Sequence, residues 1–415
     1  MFDDLNSRYP HAVRRLLAGF LASTCLVAAP PAAAATLADS PLGTRLAKAL
    51  RVPHISPARS AALAVDLATG QPLYAQNDAL PLAPASNEKL AVTYAALTAL
   101  GPAFRLETRV DESGERDGKT LHGDLYLVGG GDPTLSRADL ASLARAVRAA
   151  GIAVVDGRVV GDESLFDARR VVAGWKPSFY IDESPPLSAL VVDRAFYAGH
   201  ITQDPALAAA LLFRDALRKA GVRVLGEVAV DKSPSAALSV ASVHSATLAQ
   251  IVENMDLESD NFVAELLLKQ LGLLQSAQGT SAAGAQTVMR LLGADGIPLA
   301  GVRIVDGSGL SQLDRLTADA LVTIVVTMWN DPQLRPVLLK ALPVAGVSGT
   351  LHSRMRAPPL RGNVRAKTGT TNEASALTGF VRDQYAFSIV QNGYPLPYWW
   401  ARVAQDRFAQ VLAAQ

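Results

Sequence analysis

Ser86 and Lys89 have the types and the spacing of a nucleophile and its base. If this stretch opens a helix, a separation of three residues places both side chains on one face. The sequence predicts such a helix, because apolar residues recur at helical spacing over residues 90–97 and Gly101 follows. A serine hydroxyl becomes nucleophilic when a base removes its proton. A lysine can serve as that base if burial, a helix N-terminus or a second cation lowers its pKa.

The same pair also has an ordinary interpretation, in which Ser86 caps the helix and Lys89 is a solvated side chain. A Ser-x-x-Lys quartet arises by chance about once in a chain of this length. The catalytic interpretation therefore depends on further residues elsewhere in the sequence.

Ser259 and Asn261 form a second candidate group, in a break between two predicted helices over residues 246–255 and 262–271. Ser259 could pass a proton to a leaving amine, and Asn261 could hold Lys89 or a substrate amide by hydrogen bonds. The alternative is that Ser259 only caps the second helix.

Lys367, Thr368 and Gly369 form the third group, in a predicted strand over residues 363–370. Lys367 would supply positive charge, which helps to keep Lys89 neutral and attracts a carboxylate. Thr368 and Thr370 offer hydroxyl and N–H groups, and Gly369 lets the strand backbone come close to a substrate. An ordinary strand end would contain the same residues by chance.

The three groups together indicate acyl transfer, with the N–H groups of Ser86 and Thr370 as an oxyanion hole. Their joint occurrence in this order has a chance expectation of about one in a thousand. Serine β-lactamases and penicillin-binding proteins carry this trio.

The sequence resembles the class C low-molecular-mass penicillin-binding proteins, the D-alanyl-D-alanine carboxypeptidase/endopeptidase family, over nearly the whole chain after residue 35. The resemblance rests on the trio and on these stretches: Pro84-Ala85-Ser86-Asn87-Glu88-Lys89-Leu90, Gly130-Gly131-Asp132-Pro133-Thr134, Glu258-Ser259-Asp260-Asn261, Asp306-Gly307-Ser308-Gly309-Leu310-Ser311 and Val364-Arg365-Ala366-Lys367-Thr368-Gly369-Thr370. It implies peptidoglycan stem peptides as substrates, β-lactam antibiotics as covalent inhibitors, no cofactor and a bacterial periplasmic location.

The resemblance also implies an α/β (α+β) fold, with a transpeptidase-like domain whose antiparallel sheet is covered by helices. A mixed α/β domain would be inserted between the first two motifs. The predicted boundaries are a signal peptide at 1–35, catalytic segments at 36–102 and 239–415, and the insertion at 103–238. The insertion is shorter than in larger family members, which leaves substrate gating and endopeptidase preference open.

Three other functions are compatible with parts of the pattern. A class A β-lactamase shares the trio, but it lacks this large insertion and needs a deacylating glutamate that the sequence does not reveal. An esterase of the same fold usually has tyrosine in place of Ser259. A non-catalytic, penicillin-recognising sensor or scaffold of the cell wall remains an alternative from another class.

The composition of the chain limits which other functions it could have. The chain has 415 residues, of which 49% are hydrophobic and 19% charged, which suits two folded domains. A net charge of +1 gives no sign of nucleic-acid binding. Six scattered histidines show no metal-binding spacing, so no metal site is predicted. No Gly-x-Ser-x-Gly elbow is present either.

The N-terminus has the parts of a secretory signal. Arg14 and Arg15 precede an apolar run over residues 16–29 and an alanine tract at 32–35. The run is short for a membrane span, so no stable span is expected after cleavage. The single cysteine, Cys25, would leave with the signal, and the mature chain would have no disulfide.

Overall fold

The computed structural model of the chain describes residues 40–415. The predicted signal peptide, residues 1–35, lies outside them. The chain divides into two compact units. Among the described residues, the first contains residues 40–102 together with Ala249–Ala264 and Ala285–Gln415, and the second contains Ala103–Leu248 and Glu265–Gly284. The predicted insertion, residues 103–238, falls within the second unit.

The helices and strands follow in chain order. The helices are α1 Pro41–Leu50, α2 Lys89–Leu100, α3 Arg137–Ala149, α4 Pro205–Lys219, α5 Leu248–Glu258, α6 Asn261–Gly272, α7 Ser281–Ala294, α8 Ala318–Asn330, α9 Arg335–Ala341 and α10 Tyr398–Ala413. The strands are β1 Ser60–Asp66, β2 Pro72–Gln76, β3 Glu107–Asp117, β4 Thr120–Val128, β5 Val154–Val155, β6 Val159–Asp162, β7 Phe196–Tyr197, β8 His200–Ile201, β9 Arg223–Val224, β10 Val228–Val230, β11 Leu238–His244, β12 Val364–Thr370, β13 Ala374–Val381 and β14 Tyr385–Asn392.

The first unit is built on a five-stranded sheet in the order β12-β13-β14-β1-β2, and every neighbouring pair is antiparallel. Side chains alternate between the two faces of a strand, so both faces of this sheet need cover. On one face Tyr74 meets Phe408 of α10, with ring centroids 5.6 Å apart. On the other, Phe380 meets Trp329 of α8 at 4.9 Å. The predicted antiparallel sheet covered by helices is confirmed.

Helix α2 carries the first motif into the centre of the first unit. All twelve of its residues are buried, and it packs against α8. The sequence predicted only one apolar stripe. The helix is instead buried on all sides, because small and apolar residues occupy its whole circumference and let neighbouring elements approach closely. Ala91, Ala95 and Ala99 are examples. The helix ends at Gly101, whose φ of 85° suits a residue without Cβ.

The second unit contains a mixed sheet in the order β10-β6-β4-β3-β11. Strand β6 runs parallel to β4 and β10, whereas β3 runs antiparallel to β4 and β11. Helices α3 and α4 cover this sheet and share its apolar core. Ser136 and Asp139 form a capping box that starts α3, and Pro205 occupies the first position of α4. The predicted mixed α/β insertion is confirmed.

Candidate active site

Ser86 lies in a single 3₁₀ turn, Ala85–Glu88, and α2 begins at Lys89 directly after it. The sequence predicted that this stretch opens a helix, and in the structure the 3₁₀ turn comes directly before that helix. The residue before the serine, Ala85, has a positive φ of 46°. Because of this geometry Lys89 Nζ lies 3.1 Å from Ser86 Oγ. The predicted nucleophile and base are therefore within hydrogen-bond distance.

The side chain of Lys89 is completely buried. Its Nζ also donates to Asn261 Oδ1 over 2.8 Å and to the backbone carbonyl oxygen of Ser308 over 2.7 Å. A neutral amine can donate to these two acceptors and still accept the hydroxyl proton of Ser86 through its lone pair. Asn261 thus makes one of the two contacts proposed for it from the sequence, the hydrogen bond to Lys89. Ser308 contributes its carbonyl group, which no side-chain pattern reveals.

The second pair of motif residues also meets directly. Ser259 lies between α5 and α6 with a positive φ of 59°, and its Oγ accepts a hydrogen bond from Lys367 Nζ over 2.8 Å. Lys367 Nζ donates in addition to the carbonyl oxygen of Thr368 over 3.1 Å. A serine hydroxyl held by a lysine can relay a proton, as the sequence suggested for Ser259.

Lys367 is fully buried, and its protonation is finely balanced. Burial and the nearby charge of Lys89 lower the pKa of Lys367 to about 7, although the carboxylate of Asp256 acts in the opposite direction. A lysine with such a pKa exchanges its proton near neutral pH, which suits both charge stabilisation and proton transfer.

Asp256 is a buried acid that sequence analysis did not single out. Thr93 Oγ1 donates to its Oδ2 over 2.7 Å. Burial raises the pKa of Asp256, and the charges of Lys367 and Lys89 partly oppose that rise. It precedes Ser259 by less than one helical turn, in the stretch that was predicted to break the helix. In the structure α5 continues through this stretch to Glu258.

Strand β12 is the outer strand of its sheet. Residues 343–345 cover the outer edge of its first half, where Ala345 N donates to the Val364 carbonyl and Ala366 N to the Pro343 carbonyl, each over 2.9 Å. The second half, from Lys367 to Thr370, extends past this contact. An extended peptide could pair with such a strand edge through its backbone.

The hydroxyl groups of the β12 motif have partners at the surface. Thr368 Oγ1 donates to Thr350 Oγ1 over 2.7 Å. Thr370 is exposed and its Oγ1 accepts from Arg402 over 3.5 Å. Thr350 and Arg402 lie outside the motifs, so sequence reasoning missed them. Both place a polar side chain beside the β12 motif.

Gly369 lies against the Ser86 turn, in addition to the approach to a substrate that the sequence predicted for it. A Cβ at this position would lie 2.9 Å from the carbonyl oxygen of Pro84 and 3.1 Å from both Ala85 Cβ and Asn87 Nδ2. The absence of a side chain therefore lets β12 pack directly on the Ser86 turn.

All the predicted site residues lie in the first unit. Ser86, Lys89 and Asn261 form one hydrogen-bonded group, Ser259 and Lys367 form another, and the two lysines interact through their charges. This arrangement offers a nucleophile, a buried base, a proton relay and a positive charge beside an open strand edge. In residues 40–415, no cluster of three or more metal-ligating side chains is present.

The sequence matches the D-Ala-D-Ala carboxypeptidase 3 (S13) family over residues 42–203 and 195–415. It is 32% identical over 437 residues to the D-alanyl-D-alanine carboxypeptidase of Actinomadura sp. (strain R39), covering 84% of this chain and 80% of the relative. The chain belongs to the S13 family of D-Ala-D-Ala carboxypeptidases. It is thus a serine-type carboxypeptidase of the penicillin-binding class, which confirms the predicted family and enzyme class.

Solved structures share the fold. Penicillin-binding protein 4 of Haemophilus influenzae superposes with a TM-score of 0.79 at 23% identity, over 90% of this chain and 99% of that one. The same protein has been solved in complex with a β-lactam. The predatory endopeptidase Bd3459 of Bdellovibrio bacteriovorus, solved acylated by penicillin G, matches at TM-score 0.52 and 18% identity, over 85% and 90% of the two chains.

The family match favours the carboxypeptidase over the β-lactamase and the sensor that the sequence left open. None of the helices in residues 40–415 combines the length and the apolar character needed to cross a membrane.

Proposed function

We propose that Ser86 is the nucleophile of this carboxypeptidase and that it forms an acyl-enzyme with peptidoglycan stem peptides that end in D-Ala-D-Ala. The observation that carries the proposal is the 3.1 Å contact between Ser86 Oγ and the buried Nζ of Lys89. A buried lysine in contact with a serine hydroxyl is the arrangement that general-base activation requires.

In the acylation step neutral Lys89 removes the proton of Ser86 as its oxygen attacks the carbonyl carbon of the penultimate D-alanine. The N–H groups of Ser86 and Thr370 stabilise the oxyanion. When the carbon–nitrogen bond breaks, the leaving amine needs one proton. Ser259 delivers it from Lys367, to which its Oγ is hydrogen-bonded over 2.8 Å. D-Alanine then departs, and Ser86 retains the shortened peptide as an ester.

Before deacylation the proton that Lys89 took from Ser86 passes to Lys367, which restores the starting protonation of both lysines. Water then attacks the ester carbonyl, and neutral Lys89 accepts its proton. Asn261 holds Lys89 through a 2.8 Å hydrogen bond, so the base keeps its position while the ester occupies Ser86 Oγ. The free stem peptide leaves with a new carboxylate, and the serine regains its proton. Each turnover therefore consumes one water and releases one D-alanine.

Substrate recognition follows from the edge of β12. The peptide backbone pairs with the second half of this strand, and its terminal carboxylate is attracted by Lys367 and accepts hydrogen bonds from Thr368 and Thr370. β-Lactams follow the same acylation route, because their carboxylate and strained amide occupy the corresponding positions. They act as covalent inhibitors when the resulting ester hydrolyses slowly.

The carboxypeptidase acts in the periplasm in this proposal, since its substrate is cell-wall peptide and residues 1–35 have the pattern of a secretory signal. N-terminal sequencing of the exported protein and fractionation of the host cell test this part. An intact N-terminus in a cytoplasmic fraction would contradict it.

The experiment for the whole proposal measures D-alanine released from a pentapeptide that ends in D-Ala-D-Ala. The mature protein should release D-alanine, and Ser86→Ala should not, although it keeps its fold. Ser142→Ala, which changes a partly exposed serine of α3, is the matched control and should retain full activity. Release by Ser86→Ala would remove Ser86 as the nucleophile.

Endopeptidase activity is a second candidate, because a strand edge accepts the side of a cross-linked peptide as readily as a free end. Cross-linked muropeptide dimer tests it with the same pair of proteins. Cleavage of the dimer without release of D-alanine from the pentapeptide would make the protein an endopeptidase.

A further inference from the structure

Three acidic side chains, Glu88, Asp306 and Asp314, are fully buried in the region of the Ser86 turn. Burial, the charges of Asp306 and Glu88 and a hydrogen bond with the Asp306 side chain raise the pKa of Asp314 well above its usual range. Three buried carboxylates close together would repel one another strongly if all were charged, so the hydrogen bonds around each one indicate where a proton is held.

Asp306 has the surroundings of a carboxylate. Its Oδ1 accepts from Gly309 N over 2.7 Å, and its Oδ2 accepts from Ser311 N over 2.7 Å and from Ser308 Oγ over 3.1 Å. Both carboxyl oxygens of Asp306 thus act as hydrogen-bond acceptors. These bonds fold the loop over residues 306–311 around the Asp306 side chain.

Asp314 has different surroundings. Its Oδ1 accepts from Val305 N over 2.7 Å and from Asp306 N over 3.3 Å. Its Oδ2 is buried, and no donor within residues 40–415 lies at hydrogen-bond distance from it. A proton on Oδ2 accounts for this, because the oxygen then becomes a donor and the neighbouring Asp306 carboxylate is its acceptor.

The 306–311 loop touches both the Lys89 side chain and the Ser86 turn. The carbonyl oxygen of Ser308 accepts the 2.7 Å hydrogen bond from Lys89. Gly309, with a φ of 80°, packs so closely that a Cβ would lie 1.9 Å from the carbonyl oxygen of Ala85. A shift of this loop would therefore move an acceptor of Lys89 and disturb the residue before Ser86.

We propose that Asp306 and Asp314 share one proton and act together as positioning residues for Lys89. Asp314 donates to Asp306, and Asp306 fixes the loop whose Ser308 carbonyl receives the lysine side chain. Neither acid touches the substrate. The role assigned to the pair rests on the proposed function of Lys89 as the base.

The first test compares Asp314→Asn with Asp314→Leu. Asparagine keeps a neutral donor towards Asp306 and an acceptor for Val305 N, so its penicillin acylation rate should stay close to that of the wild type. Leucine keeps the size but provides neither group, and Asp306→Asn removes the carboxylate. These two variants should acylate roughly 100-fold more slowly, as expected for a displaced catalytic group.

Rates are measured on folded protein, with near-ultraviolet circular dichroism and the thermal midpoint recorded for each variant. Fast acylation by folded Asp314→Leu or Asp306→Asn would overturn the positioning role, as would a large loss in Asp314→Asn. If the leucine variant does not fold, the asparagine variant still tests the proposal. Asparagine can replace a protonated Asp314 but not an ionised one, so an ionised Asp314 would make Asp314→Asn acylate slowly.

Infrared spectroscopy tests the shared proton without reference to activity. The wild type at neutral pH should show a carboxylic acid C=O band that Asp314→Asn lacks. An unchanged acid band in Asp314→Asn would overturn the shared proton. If the proposed function itself fails, wild-type protein does not acylate at Ser86 while the infrared difference persists, so the two failures are distinguishable.

Discussion

Asn87 Nδ2 donates a hydrogen bond to the backbone carbonyl oxygen of Lys367 over 3.1 Å. The two residues are 280 positions apart, and this bond joins the turn that carries Ser86 to strand β12. Asn87 is fully buried, so neither group can exchange its partner for water. The distance between Ser86, the proposed nucleophile, and β12, the proposed substrate-binding strand, thus depends on a residue outside the Ser-x-x-Lys pair itself.

Replacement of Asn87 by alanine should therefore reduce both stability and activity. A buried carbonyl left without its donor costs about 1–3 kcal/mol of unfolding free energy. Penicillin acylation should slow because the turn can shift against β12. Asn363→Ala is the matched control, since its amide also donates to a backbone carbonyl, that of Pro359 over 2.8 Å, at an exposed position. Equal effects from the two substitutions in denaturant unfolding and acylation assays would contradict this role.

Replacement of Lys89 by alanine should slow acylation by about 10²–10⁴-fold, the contribution of a general base. Stopped-flow measurement with a fluorescent penicillin gives the rate. Lys269→Met is the control, because Lys269 is also buried but pairs with Asp167 within the second unit. It should destabilise the protein and leave the acylation rate of folded molecules unchanged. A Lys89→Ala rate near that of the wild type would exclude Lys89 as the base.

Substrate binding should weaken as pH rises through the pKa of Lys367, which lies at about 7. Below that pH Lys367 is protonated and attracts the terminal carboxylate, and above it the charge is lost. Because Lys89 interacts with Lys367, the observed value belongs to the pair. We expect KM for a D-Ala-D-Ala peptide to rise between about pH 6 and about pH 9.

The control for this pH dependence is a change in the substrate, which leaves the buried site intact. A peptide whose terminal carboxylate is replaced by an amide does not use the charge of Lys367, so its KM should lack the rise. The same rise with both peptides would assign the titration to another group.

Asp256→Asn should shift this titration to lower pH. The Asp256 carboxylate favours the charged form of Lys367, so its removal lowers the pKa of Lys367 further. Thr93 Oγ1 can still donate to the amide oxygen of asparagine, which limits structural change. The pH profile of KM provides the measurement. A shift to higher pH, or none, would show that Asp256 does not supply charge to Lys367.

Gly309→Ala should be strongly destabilising, by about 3 kcal/mol or more, because its Cβ would overlap the carbonyl oxygen of Ala85. Gly296→Ala is the control: it has a similar φ of 75° but no atom within 4 Å of the added Cβ. Its cost should be confined to backbone strain of roughly 1–2 kcal/mol. Comparable thermal midpoints for the two variants would mean that the loop at Gly309 can move away.

The sequence predicted the parts of the site whose chemistry resides in side chains. Ser86, Lys89, Ser259, Asn261 and Lys367 were found from residue types and order, and the structure places them within two hydrogen-bonded groups. Their catalytic roles stay predictions until the variants are measured. The three-motif order was informative because acyl transfer needs all of these groups together.

Residues that act through tertiary position could not be found in this way. Ser308 contributes a backbone carbonyl, which any residue possesses, and its place beside Lys89 depends on the fold of the 306–311 loop. Asp256 resembles a surface acid in the sequence, and only the structure reveals that it is buried. The return of the chain to the second unit at Glu265–Gly284 was also missed, because α6 is a continuous helix through Glu265.

Two non-glycine residues of the candidate site, Ala85 and Ser259, have left-handed backbone conformations with φ of 46° and 59°. Such conformations cost roughly 1–2 kcal/mol each for residues with a Cβ. Selection for thermal stability alone should therefore enrich Ala85→Gly, which relieves the backbone strain without loss of a functional side chain. The added backbone freedom would loosen the placement of the nucleophile, so variants with the highest melting temperatures should include slow enzymes.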